Sequence, residues 1–208
     1  MQPSNRSSRA DRLVSFGRYG RKILREFRQP LWRRPHLRCM FPLILMASAT
    51  THPLSPGEHM PVLKGEFLTG QPAELPDAAS GHVALLALGF TYDSRFAVEA
   101  WVGRFRKDFG DNQHVTFYEI PMIGGMARLG KWFIDSGMRK GTPRDDYEHV
   151  ITVYSGTDAW KQRVGFQSPN SAYLVVLDQR GTVRWLYRGQ FDAAVYATLS
   201  QQVAALLE

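Results

Sequence analysis

Short apolar runs and apolar stripes of helical spacing alternate along this chain. Residues 82–90 (HVALLALGF) are almost continuously apolar, which predicts a strand that is buried on both faces of a sheet. Apolar side chains then recur at helical spacing up to about Phe109, and either Asp93 or Ser94 can act as the N-cap of this stretch. The sequence therefore predicts a strand followed directly by an amphipathic helix.

The same alternation continues to the end of the sequence. After the first unit, the pattern predicts a strand at 115–122, a helix at 126–137 that carries Leu129, Trp132, Phe133 and then Met138, a strand at 150–154, a short helix at 158–165, a hairpin of strands 173–177 and 183–187, and a helix at 191–207. Upstream, residues 65–75 predict a small hairpin or an edge strand. Strands and helices thus alternate, and a hairpin and a helix close the fold.

This order of elements indicates a fold class. Right-handed crossovers between parallel strands, finished by an antiparallel hairpin and a helix, predict a thioredoxin-like three-layer α/β/α sandwich with a central mixed sheet. A doubly wound nucleotide-binding fold is the main alternative, but it needs a Gly-rich turn after the first long strand. The turn here, residues 90–94 (FTYDS), contains no glycine.

The start of the first long helix is where thioredoxin-like enzymes carry their CxxC pair. The matching residues here, 90–95 (FTYDSR), contain no cysteine, and a serine hydroxyl cannot replace a thiolate in disulfide exchange. Ala172 stands near the position of the cis-proline of that fold, with Pro169 slightly upstream. The only cysteine of the chain is Cys39. We therefore expect no catalytic residue, no cofactor and no metal, and a protein that is not an enzyme.

Positive charge is concentrated near the N-terminus. Residues 1–39 hold 11 of the 26 Lys and Arg but 2 of the 19 Asp and Glu, which leaves 15 basic and 17 acidic residues from Met40 onward. The high isoelectric point thus belongs to an N-terminal arm, and a nucleic-acid-binding domain is disfavoured. We predict a basic leader at 1–49, a Pro- and Gly-containing linker at 50–60 and the thioredoxin-like domain at 61–208.

The leader has three interpretations. The apolar run 39–46 (CMFPLILM) and the small residues Ala47 and Ala49 are typical of a secretory signal peptide cleaved after Ala49, which predicts an exported, periplasmic or membrane-associated protein. The Arg-rich, acid-poor arm also fits a mitochondrial presequence, and an over-extended start at Met40 or Met46 would imply the cytoplasm. If the arm is retained, we expect peripheral contact with an anionic membrane.

One motif resembles a known family. A strand that ends at Asp178, a turn glycine at Gly181, and a strand with Arg184 and Trp185 that runs to Gly189 resemble the ATP synthase assembly chaperones of the mitochondrial inner membrane, ATPase complex subunit ten, and their bacterial relatives. The resemblance extends over about residues 61–207. It implies a cysteine-poor thioredoxin-like protein that assists assembly of the membrane sector of ATP synthase without a cofactor.

The function predicted from these observations is a non-catalytic chaperone or assembly factor that holds a partner polypeptide, such as a subunit of a membrane complex. We assign structural roles to Asp178, Gly181, Trp185 and Gly189. The residues proposed for partner contact are Tyr92, Asp93, Ser94, Arg95, Arg184 and Arg188.

Two alternatives stay open at this point. One is a thiol-disulfide oxidoreductase or peroxiredoxin-like enzyme that has lost or relocated its cysteines, with Cys39 as the thiol. The other is a binding module that takes a small molecule near Tyr92 and Trp101.

Overall fold

The computed structural model describes residues 51–208, apart from the side chains of residues 126–128. The predicted leader, including Cys39, lies outside the described residues. The strands are β1 (Leu63–Phe67), β2 (Pro72–Leu75), β3 (Val83–Gly89), β4 (Val115–Pro121), β5 (Ile151–Thr152), β6 (Ala172–Leu177) and β7 (Val183–Gly189). The α-helices are α1 (Ser94–Phe109), α2 (Lys131–Gly141), α3 (Thr157–Arg163) and α4 (Ala193–Ala205), and 3-10 turns cover Asp77–Ala79, Gly125–Gly130 and Arg144–His149.

The sheet is mixed. Its central part has the order β4-β3-β6-β7, in which β3 runs parallel to β4 and antiparallel to β6. A second group, β2-β1-β5, is antiparallel throughout. Two isolated parallel bridges, Glu119 to Val150 and Met122 to Val153, connect β4 to the β5 side. All seven residues of β3 are buried, as its apolar run predicts for a strand covered on both faces.

Successive residues of β3 point to opposite faces of the sheet and divide the core in two. On one face, Val83 and Leu85 pack with α1 and α4 through residues such as Trp101 and Leu199. On the other face, Leu86 and its neighbours pack with the β1–β2 hairpin, the N-terminal segment and α3. The result is a sheet between two covering layers, as the sequence predicts.

The folded part extends upstream of the predicted domain start. Leu54 and Met60, which fall in the predicted linker, are buried, and their backbone N–H groups donate to the carbonyl oxygens of Arg163 and Gly181. The segment therefore packs on the core as an extended strap. None of the helices within residues 51–208 has the length and apolar character needed to cross a membrane.

Helix α2 departs from the usual arrangement of an amphipathic helix. Leu129, just before it, is 75% exposed, and Trp132 and Phe133 are 79% and 76% exposed. Its one fully buried side chain is instead Asp135, which is 3% exposed. The apolar stripe that identifies this helix in the sequence thus faces outward.

Candidate functional site

The turn between β3 and α1 is held by two hydroxyl groups at the spacing of a CxxC pair. The N–H of Thr91 donates to Ser94 Oγ, and the N–H of Ser94 donates to Thr91 Oγ1, both at 3.2 Å. The Ser94 hydroxyl donates to the Thr91 carbonyl oxygen at 2.7 Å. Thr91 and Ser94 therefore close the turn that a redox pair would occupy.

Local packing explains why the chain turns here. The last position of β3 requires a glycine, Gly89, because a Cβ there would lie 2.6 Å from Ser94 Oγ. Phe90 leaves the strand sideways and packs edge-on against Phe166 and Tyr173, with ring centroids 5.3 and 5.4 Å away. Asp93, predicted as an N-cap, has no side-chain capping bond, because the serine that follows it ties the turn instead.

Thr91 also joins the turn to the loop before β6. Its hydroxyl lies 2.9 Å from the Pro169 carbonyl oxygen and 3.2 Å from Asn170 Oδ1. Gln190, which directly follows the last residue of β7, donates to the Asn170 carbonyl oxygen at 2.8 Å. The loop before β6 thus lies directly beside the hydroxyl pair.

The exposed part of the site is formed by two aromatic rings and a guanidinium group. Tyr92 and Phe96 are 74% and 58% exposed, and the Arg95 guanidinium carbon lies 3.8 and 4.5 Å from their ring centroids. The guanidinium group of Arg95 makes neither a hydrogen bond nor an ion pair with any group of residues 51–208. Stacking therefore orders this cation while its N–H donors stay accessible.

The structure separates the predicted contact residues into two groups. Tyr92, Asp93 and Arg95 lie around the turn, and Arg188 belongs to the same end of the sheet because it pairs in register with Tyr173. Arg188 is already engaged, since it donates to the Gly165 carbonyl oxygen at 2.8 Å. Ser94 is 1% exposed, so its hydroxyl supports the turn from within and does not face a partner.

Arg184 lies at the opposite end of β7, 3.9 Å from Asp178 of the hairpin turn. That turn uses Asp178 as an acceptor for the N–H groups of Arg180 and Thr182, both at 2.9 Å. Gly181 has φ +78°, and Trp185 stacks on Tyr187. Gly189, the last residue of β7, pairs in register with Ala172.

Two members of the site are absent from the predicted set. Thr91 completes the hydroxyl pair, and its three-residue spacing from Ser94 was the sequence signal for it. Phe96 provides the second ring under Arg95, and it lies five and six residues before the buried Trp101 and Val102, which places it off the buried face of α1. Its position in the first turn of α1 leaves it exposed.

Two carboxyl groups near α1, those of Glu119 and Asp108, have shifted pKa values. Burial raises the pKa of Glu119 on β4 to about 7, and the neighbouring carboxylates of Glu99 and Asp146 raise it further, against the opposing charge of Arg106. Tyr196 donates to Asp108 at 2.8 Å, which lowers the pKa of that carboxyl group. No three His, Asp or Glu side chains in residues 51–208 come together as ligands for a metal ion.

The fold of this chain was compared with those of known proteins. No protein-family model and no curated protein matches the chain. Among solved structures, a Chlorobium tepidum protein named thiol:disulfide interchange protein DsbE matches with a TM-score of 0.50 and 17% identity, over 74% of this chain and 99% of the other. The chain has a thioredoxin-like fold.

Two proteins of Bacteroides thetaiotaomicron resemble this thioredoxin-like chain to the same degree. A protein disulfide isomerase matches with a TM-score of 0.50 and 17% identity, over 74% of this chain and 91% of the other. The C-terminal domain of a thiol-disulfide oxidoreductase matches with a TM-score of 0.50 and 13% identity, over 73% and 97%. All three names are provisional, and at these identities the similarity concerns the fold.

These comparisons contradict the prediction that the chain is not an enzyme. The neighbours are named as thiol-disulfide enzymes, so the fold is one that an enzyme family uses. The prediction was wrong because it relied on the absence of sulfur at one turn. That absence removes one reaction at one position, whereas the fold itself is common to enzymes.

Proposed function

We propose that this chain is a relative of the thiol-disulfide oxidoreductases in which Thr91 and Ser94 occupy the redox position, and that it binds a partner polypeptide there. The observation that carries the proposal is the Arg95 guanidinium stacked on Tyr92 and Phe96 beside this turn. Aromatic rings and arginine are the side chains that contribute most to protein interfaces. The accessible N–H donors of Arg95 suit a carboxylate or a backbone carbonyl of the partner.

The partner class proposed is a subunit of a membrane complex, and in the first place the membrane sector of ATP synthase. This part of the proposal is supported by the motif from Asp178 to Gly189. Asp178 accepts the hydrogen bonds that hold the hairpin turn, so in this proposal the motif is part of the scaffold and the partner contacts the turn before α1.

Affinity capture from solubilised membranes with the tagged full chain tests both parts. We expect a defined subunit to be recovered by the wild-type chain and lost by the variant Tyr92→Ser/Arg95→Ala. Arg184→Ala is the matched control, because it removes an exposed arginine at the far end of β7. Equal recovery by the first variant would contradict binding at this turn, and recovery of subunits of another complex would contradict the ATP synthase assignment.

A second candidate function is thiol chemistry by Cys39, which the names of the structural neighbours favour. Cys39 is the only thiol of the chain, so reduction would need attack on a disulfide with formation of a mixed disulfide to Cys39 and a second thiol from outside to resolve it. Insulin reduction by the full chain in glutathione is the test. Activity that disappears in Cys39→Ser would support this candidate, and activity equal to buffer would exclude it.

A further inference from the structure

The outward face of the α2 region combines large apolar side chains with positive charge. Trp132 and Phe133 lie in the first turn of α2, and Leu129 lies in the 3-10 turn directly before it; all three side chains are at least 75% exposed. Ser136 and the exposed Lys140 lie four and eight residues after Trp132, on the same side of the helix. No other part of residues 51–208 has three exposed large apolar side chains within five consecutive residues.

The net charge of residues 125–144 is opposite in sign to that of the other residues from Met40 onward. Residues 125–144 contain five Lys and Arg and a single Asp, a net charge of +4. From Met40 to the C-terminus the chain has 15 basic and 17 acidic residues, so everything outside this segment carries about −6 by the same count. Lys131 and Arg139 donate to groups on the inner side, so the positive charge beside the exposed apolar side chains includes the exposed Lys140 and Arg144. The acidic residues Asp145, Asp146 and Glu148 follow directly after this segment.

The inner side of α2 neutralises its only acidic residue. Asp135 is 3% exposed, accepts from Lys131 Nζ at 2.6 Å, and accepts a hydrogen bond from the Tyr154 hydroxyl. Lys131 also donates to Glu66 on β1 at 2.9 Å. Burial alone would lower the pKa of Lys131, but these two carboxylates outweigh it and raise that pKa, so the lysine stays charged and the network anchors the helix.

We propose that the outward face of α2 docks on an anionic membrane surface. A helix with Trp, Phe and Leu on its exposed side and basic residues beside them lies in the interface plane, with the apolar side chains among the acyl chains and the cations at the headgroups. Tryptophan is enriched at this depth because its ring is amphipathic. Lys and Arg side chains near the surface are attracted to an anionic leaflet and so strengthen such binding.

Charge also argues against a second copy of the chain as the occupant. Two copies meeting through this face would bring two +4 segments together, and like charges across an interface oppose association. A fluid, negatively charged surface satisfies both the apolar and the basic part of this face.

Quenching by brominated lipids tests the proposal on the full chain. The chain has five tryptophans; Trp101 and Trp160 are buried, and Trp132 is the most exposed of those in the described residues. Vesicles of phosphatidylglycerol and phosphatidylcholine with bromine on the acyl chains should quench the wild-type emission more than that of Trp132→Phe. The difference between the two proteins reports Trp132 alone, so quenching through the N-terminal arm cancels.

Sedimentation with the same vesicles gives a second measurement. At high salt, where attraction of the arm is screened, Trp132→Ser/Phe133→Ser should bind at least about tenfold more weakly than the wild type, since two aromatic side chains lose their apolar burial. Tyr92→Ser/Phe96→Ser, which removes two exposed aromatics from another surface, should bind as the wild type does.

Three results would overturn the proposal. The first is equal lipid quenching of the wild type and Trp132→Phe. The second is equal vesicle binding by the two double variants. The third is protection of Trp132 from iodide in the absence of vesicles that increases with protein concentration, because a second copy would then cover the face.

Discussion

At the turn before α1, Thr91 and Ser94 have the three-residue spacing of a CxxC pair, with hydroxyl groups where that pair has thiols. Their side chains accept hydrogen bonds from each other's backbone N–H groups, so both point into the turn. Ser94 is the first residue of α1, a helix of 16 residues. A helix N-terminus lowers the pKa of a thiol placed there, because its dipole favours the thiolate.

This geometry predicts a gain of function. The double substitution Thr91→Cys/Ser94→Cys should form a disulfide and reduce insulin in the presence of dithiothreitol, at a rate clearly above that of the wild type. Ser94→Cys alone is the control, since a single thiol cannot complete the exchange within the turn. A double variant that forms no disulfide under oxidising conditions would show that this turn does not have redox-site geometry.

Glu119 is the residue that should make stability depend on pH. Its pKa in the folded protein is about 7, above its ordinary value of 4.5, so the folded state holds the proton more tightly than the unfolded state does. Its contribution is therefore complete below pH 4.5 and is lost as the pH rises through 7. The full loss corresponds to about 3 kcal/mol.

Glu119→Gln should remove this dependence and stabilise the protein at pH 8 relative to the wild type. The carboxylates of Glu99 and Asp146 then no longer face a third negative charge, while Arg106 keeps its ion pair with Asp146 at 2.7 Å. Urea unfolding of both proteins at pH 5 and pH 8 is the measurement. If the wild type instead became more stable than the variant on going from pH 5 to pH 8, the proposed role of Glu119 would be contradicted.

Residue types could be assigned to the site from the sequence, but their exposure could not. The absence of cysteine from the turn is evident from the letters alone. Whether Ser94 faces solvent or Thr91 depends on the path of the backbone between β3 and α1, which Gly89 and the packing of Phe90 determine. Phe96 was not predicted because it was counted among the apolar positions of α1, although five residues separate it from Trp101 and it lies off the buried face.

Among the elements, the β6–β7 hairpin depends most on one backbone position. Gly181 has φ +78°, and a Cβ added there would lie 2.7 Å from Pro76 Cβ. Its carbonyl oxygen also accepts from the N–H of Met60 at 2.9 Å, so the turn cannot move away freely. The turn residue thus fixes both the hairpin and the N-terminal strap.

Gly181→Ala should lower the free energy of unfolding by about 2–4 kcal/mol, because left-handed backbone strain and overpacking add. Gly70→Ala is the matched control: its φ is +93°, but nothing lies within 4 Å of the added Cβ. We expect it to cost about 1–2 kcal/mol, the backbone part alone. Equal losses in denaturant unfolding would show that contact with Pro76 adds nothing.

Helices α1 and α2 show how far periodicity predicts an element. Helix α1 begins at Ser94 and ends at Phe109 as expected from its apolar spacing. Helix α2 was predicted at 126–137 but covers Lys131–Gly141, because residues 125–130 form a 3-10 turn. The same spacing in Leu129, Trp132 and Phe133 belongs to a face that no described residue covers. A stripe indicates that something apolar is needed on that side, without indicating that it is the protein's own core.

For the molecule as a whole, stability should be highest in the middle of the sheet. Every residue of β3 and β6 is buried, and β3 is paired along both sides. The β1–β2 hairpin has a single neighbour, β5, through two residue pairs. Backbone amides open with free energies that follow such differences in burial and pairing.

Hydrogen exchange measured by mass spectrometry should therefore find the slowest amides in β3 and β6. Amides of β1 and β2 should exchange faster, because the hairpin can separate from β5 without unfolding of the central sheet. Uniform protection across both groups would mean that the hairpin and the central sheet unfold only together.

The thioredoxin-like architecture follows from the sequence because each buried strand and each helix is locally evident and their order admits few topologies. The packed strap from Leu54 to Met60 could not be predicted from the sequence, since its Pro and Gly residues and its lack of hydrophobic periodicity are typical of a linker. It is ordered by contacts with Arg163 and Gly181, more than a hundred residues away in the sequence. Such long-range contacts leave no local pattern.

The pairing of β1 with β5 also matters while the chain is being synthesised. Glu66 pairs with Thr152, so one side of β1 has no neighbour until the ribosome has translated past β5. During that interval the nascent hairpin presents an open strand edge to other chains, which favours aggregation. A transcript truncated before codon 151 would leave every product in this state.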